Sequence, residues 1–77
     1  MPRYFFHVQR HNSPDALDEE GGIFEDTDAA KHEAAACLRE IAANDMRSGH
    51  SIRGLAIQVA DEFGAVLGGI NVADTLV

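Results

Sequence analysis

Metal ligation or nucleophilic attack would fall to His7, His11, His32, His50 and Cys37, the four histidines and single cysteine of the chain. Structural zinc needs a closed set of ligands in close pairs, and neither a CxxC pair nor an HExxH spacing is present. His7 and His11 could approach each other only if the strand that bears them bent. His32 and Cys37 stand five apart on a helical pattern and project in different directions. The acidic group Asp15, Asp18, Glu19 and Glu20 lacks the alternating ligand spacing of a calcium loop, and consecutive side chains in an extended segment diverge instead of converging on one ion. Ser13, Ser48 and Ser51 lie in polar connections outside any nucleophile elbow. The glycine pairs at 21–22 and 68–69 do not lead a strand into a helix as phosphate loops do. The expectation is a chain with no catalytic residue, no metal site, no cofactor and no small-molecule substrate.

Any such chemistry would need elements to position it, and the material for them is limited. A chain of 77 residues makes one domain, residues 1–77, and at that size folding buries only about 60% of the unfolded surface. With an apolar fraction of 45%, four Phe, one Tyr and no Trp, large anchors are few and self-association would add stability. A formal charge of −7, from 13 acidic and 6 basic residues, opposes binding to nucleic-acid phosphates or an anionic membrane. Arg3, Arg10, Lys31, Arg39, Arg47 and Arg53 are scattered, so they form no basic stripe. A lone cysteine cannot make an internal disulfide, which suits a reducing compartment. No signal-like or membrane-length apolar run is present, so a soluble, cytoplasmic protein is expected.

The longest periodic stretch is Thr27 to Ser48. Ala30, Ala34, Cys37, Leu38, Ile41, Ala42 and Met46 recur at three- and four-residue spacings, which predicts an amphipathic helix with an alanine-rich stripe able to lie close to a sheet. Asp26 or Thr27 supplies the N-cap, Asp28 and Arg47 suit the helix dipole, and Gly49 is placed as the left-handed stop.

Arg3 to Arg10 reads as an interior strand, with Tyr4, Phe6 and Val8 on one face and Phe5, His7 and Gln9 on the other. His11 to Gly22 reads as a solvated loop and Ile23 to Glu25 as a short strand. Ile52 to Ala60 and Ala65 to Val72 read as a hairpin turning at Glu62 and Phe63, with Val59 opposite Val66, Ile57 opposite Gly68 and Leu55 opposite Ile70. Leu55, Ile57, Val59, Val66, Ile70 and Val72 then share the face that meets the helix.

The expected fold is α+β, a two-layer β-β-α-β-β sandwich with a four-stranded antiparallel sheet of order 2-1-3-4 and one helix on one face. Phe5, His7, Ala56, Gln58, Leu67 and Asn71 then stand on the uncovered face as a candidate protein interface. Two functions follow from these features. One is a non-enzymatic interaction module that forms a homodimer, or binds another protein, through the sheet. The other is an acidic regulatory partner of a basic protein, in the manner of an antitoxin or inhibitor.

The opening MPRYFFHV, D-x-x-G at Asp18 to Gly21, the alanine-rich helix from Asp26 and V-x-D-E-x-G-x-V-L at Val59 to Leu67 span nearly the whole chain. Together they resemble a family of small bacterial proteins of unknown function. The resemblance implies a compact cytoplasmic α+β module and brings no activity or catalytic residue with it. This chain departs from the family pattern at HNSPDAL after Arg10 and at Gly68 and Gly69.

Overall fold

Aromatic and β-branched residues make Arg3–Arg10 a strand that other segments can pair with on both sides, and this strand, β1, is the centre of the sheet. The computed structural model describes residues 1–11 and 13–75. After β1 come β2 (Ser13–Ala16), β3 (Gly22–Ile23), helix α1 (Thr27–Arg47), β4 (Leu55–Asp61), β5 (Val66–Asn71) and a four-residue helix, α2 (Val72–Thr75). All strand pairs are antiparallel: β4 lies along one side of β1, while β2 and β3 share the other. The fold is α+β, with α1 covering one face.

The sheet has five strands, in the order β2-β1-β4-β5 with β3 also paired to β1, in place of the expected four in the order 2-1-3-4. The difference lies in Ser13–Ala16, whose polar residues read as loop. Backbone pairing does not depend on side-chain polarity, and an edge strand open to water tolerates Pro14 and Asp15. The break in register between Val8 and Gln9 is the mark of that irregular edge.

Tyr4 alternates with Phe5 across the sheet, and the helix covers the Tyr4 side. Tyr4 is buried, and Phe6 and Val8 pack against the same core as Ala30, Ala34, Leu38, Ala42, Leu55, Ile57, Val59 and Val72. Leu38, Leu55, Ile57 and Val59 are the largest side chains sealed from water. Phe24, just past β3, stacks on Phe6 with ring centroids 5.5 Å apart and lies 6.1 Å from Tyr4. These contacts close the core at the start of α1.

The helix stripe differs from expectation at its end. Met46 is 52% exposed, and Asp45 is buried in its place. Asp45 lies three residues beyond Ala42, on the same face. Its Oδ2 sits 2.8 Å from Nη2 of Arg10, at the end of β1. No directed hydrogen bond reaches that oxygen among the described residues, so the guanidinium charge is what compensates it. Arg10 also holds Asp15 of β2 at 3.1 Å, and these two carboxylates push its pKa further up.

The hairpin is displaced from the expected pairing. Val59 faces Gly68, Ile57 faces Ile70, and a bulge brings Ala60 opposite Val66. Val66 is consequently 56% exposed instead of joining the helix-facing set. The bulge absorbs the extra residue needed to close the Asp61–Ala65 turn, whose geometry the carboxylate of Asp61 sets: it accepts from Phe63 N and Ala65 N at 2.9 Å. Gly68 is open on the helix side, and the Lys31 stem occupies the space a larger side chain would take there.

Both ends of α1 are capped. Asp26 accepts from Ala29 N at 2.8 Å. At the other end His50 N donates to Asp45 O and Gly49 N to Met46 O, the paired bonds of a Schellman stop. Gly49 has φ +77° and nothing within 4 Å of where a Cβ would stand. Gly49→Ala should therefore cost about 1–2 kcal/mol through backbone strain alone. Denaturant unfolding of the variant measures this, and an unchanged midpoint would contradict the assignment.

Candidate functional site

The residues singled out for metal chemistry are kept apart by the fold. His7 lies on the face away from α1, while His11 turns the chain at the end of β1 with φ 53° and donates its N–H to Gly54 O. His32 and His50 are exposed. Among the described residues no group of three or more His, Cys, Asp or Glu is placed to hold a metal ion, and no cavity is found. Burial pushes the Cys37 thiol up, and the negative charges of Glu33 and Glu40 push it further. A raised pKa disfavours the nucleophilic thiolate. Ser48 caps α1 and Ser51 Oγ accepts from Arg53 N, so both act on local backbone.

Asp18 is the best-connected polar side chain of the expected acidic loop. Its Oδ2 accepts from Phe6 N at 3.1 Å, and its Oδ1 accepts from Glu20 N at 3.2 Å and Gly21 N at 2.9 Å. Its own N–H donates to Nδ1 of His7 at 3.0 Å. Arg3 closes the same loop by donating to Glu20 O at 2.7 Å. The loop between β2 and β3 is thereby clamped to β1.

Gly21 completes the clamp. It has φ +70°, and a Cβ there would stand 2.7 Å from Tyr4 O and 2.9 Å from the Phe5 ring. Only glycine fits both the backbone conformation and the space. The D-x-x-G pattern at Asp18–Gly21 and again at Asp61–Gly64 is thus a turn chemistry, in which an aspartate gathers N–H groups that would otherwise lack partners. The repeat is legible in the sequence. What the Asp18 copy does beyond its own turn, reaching Phe6 on β1, is not.

The open face takes its shape from cross-strand pairs. Phe5 stands opposite Ala60, His7 opposite Gln58 and Gln9 opposite Ala56 on β4, and β5 adds Gly69 beside Gln58 and Asn71 beside Ala56. The pairing therefore places Phe5, His7, Ala56, Gln58 and Asn71 on the face away from α1. Leu67 is different, since it packs against the helix-side core. It sits at the bulge, where the alternation that would have sent it to the open face is broken. Phe5 and His7 are stacked at 6.4 Å and only half-exposed, because the Asp18–Gly21 loop lies against them.

Asp18 is held below its ordinary carboxylate value. Partial burial acts in the opposite sense, but the N–H groups of Gly21, Phe6 and Glu20 and the nearby His7 outweigh it. A depressed folded value means that the clamp contributes fully at neutral pH. Its contribution fades as the pH falls below about 3.8 and through the folded value. Asp18→Asn should accordingly be less stable than the parent at pH 7, with the gap closing at pH 3, as urea melts at the two pH values would record. A gap independent of pH would mean that charge plays no part. Gly21→Ala should lose more stability than Gly49→Ala in the same assay, because it adds a steric clash with backbone to the same φ strain.

A family model described as a domain of unknown function, DUF6894, matches residues 3–73. No curated protein and no solved structure matches the chain.

Proposed function

We propose that this chain, which belongs to the DUF6894 family, is a small non-enzymatic protein-interaction module that self-associates through its sheet. The observation that supports this reading is the one-sided sandwich. Helix α1 covers the Tyr4–Phe6 face, while Ala56, Gln58 and Asn71 on the other face have no second layer above them. A domain of this size gains stability by burying the open face of its sheet, or an exposed edge of it, against another copy. The remaining acidic and histidine residues serve the fold or stand in solvent, which fits an interaction role better than a catalytic one. A cytoplasmic setting belongs to the same proposal and accords with the free Cys37. Among the described residues no helix is long and apolar enough to cross a membrane.

A second reading, the acidic regulatory partner of a basic protein, draws on a different feature. Glu19, Glu20, Glu25, Asp26 and Asp28 are exposed along the approach to α1, on a chain of net charge −7. Binding by that surface would be steered by charge and weakened by salt.

Sedimentation equilibrium at low micromolar concentration tests the leading reading. A dimer that persists from low to moderate salt is expected, because β5, at the rim of the uncovered face, carries no charged residue. A monomer at every concentration would overturn it.

A further inference from the structure

The two edges of the sheet are built differently. The edge beyond β1 is divided between β2, four residues including Pro14 and Asp15, and β3, two residues long. The loop joining them is tied down by Asp18 and Arg3. Short strands, a proline, a charge and a break in register are the devices that stop a sheet from adding a further strand. That edge is closed to growth.

The edge at β5 has none of these devices beyond the bulge at its start. Val66–Asn71, VLGGIN, contains neither proline nor charge, and among the described residues β4 is its only strand partner. From Gly68 to Asn71 the pairing with β4 is regular, which leaves the outward N–H and C=O groups of that segment in a straight row. Lys31 reaches Gly68 from the helix side, with its Cε 3.0 Å and its Nζ 3.1 Å from where a Cβ would stand. What fits such a row is another extended backbone.

We infer that β5 is the self-association edge, and that its occupant is β5 of a second copy running antiparallel about a two-fold axis perpendicular to the sheet. This deepens the self-association reading above and rests on it. Two observations favour a second copy over a foreign strand. The chain is strongly acidic overall, yet this segment is uncharged, so two copies can meet there without direct repulsion between the paired strands. With only one edge open, pairing closes at two copies, which is the behaviour of a symmetric dimer instead of a fibre. In the dimer the two helices lie on one side, and both Gln58-bearing faces lie together on the other. Phe5 and His7, already engaged by their own loop, need not take part.

The test compares Gly69→Lys and Gln58→Lys with the parent chain by sedimentation equilibrium, with amide hydrogen exchange as a second measurement. A Cβ at Gly69 meets nothing closer than 3.7 Å, so the lysine is accommodated in the monomer, and circular dichroism checks the fold. In the paired edge it stands near its symmetry mate and should raise the dissociation constant at least about tenfold. Gln58 lies one strand in from the edge, and its variant should dimerise as the parent does. Exchange at outward β5 amides should slow when the concentration is raised through the dissociation range. Loss of the dimer in both variants, or in neither, or exchange at β5 that ignores concentration, would overturn the edge while leaving self-association intact. A parent chain that stays monomeric would overturn both readings.

Discussion

Strand β1 and helix α1 run in the same direction, and the structure depends on their being tied at both ends. At the start of both elements, the buried Tyr4 hydroxyl shares a 3.3 Å hydrogen bond with Thr27. At their far ends, Arg10 meets Asp45 at 2.8 Å. Between these ties the alanines of the helix allow a close approach to β4, and Leu38 fills the space against Leu55, Ile57 and Val59. A core this thin has few contacts to spare, so the polar ties at its ends fix the helix direction where side-chain volume alone would leave it loose.

The acidity of the chain has a structural explanation for its aspartates. Asp15 and Asp45 bind Arg10, Asp26 caps α1, and Asp18 and Asp61 each organise a turn. The short aspartate side chain suits this work because it reaches N–H groups two to four residues away with little rotamer freedom to lose. The glutamates stand in solvent, where they keep the surface charged. Net charge by itself therefore overstates how much acidic surface is available to a partner.

The Asp18 clamp also decides how much of the open face is open. By drawing the loop onto Phe5 and His7, it shields the aromatic end of that face and leaves the more polar part at Ala56, Gln58 and Asn71. The same loop, with β2 and β3, closes one edge of the sheet and leaves the apolar, uncharged β5 as the other. Membership of a family of unknown function adds no chemistry to this picture. The surface that the fold leaves unfilled is what distinguishes the molecule.

Local patterns determined the elements. Helical spacing from Ala30 to Ala42, the Asp26 cap and the Gly49 stop placed α1 within a residue of its observed end, and alternation in Arg3–Arg10 assigned Tyr4 and Phe5 to opposite faces. Residue type at fixed spacing is enough for that, because caps and alternation act within a turn or two of backbone. Tertiary structure alone decided the pairing of β2 with β1, the bulge that moved Val66 and Leu67, the burial of Asp45 opposite Arg10, and the reach of Asp18 to Phe6. Each of these joins groups distant in sequence or slips a register. Local propensity cannot rank such alternatives, since their energies depend on which backbone groups and charges the rest of the fold has left without partners.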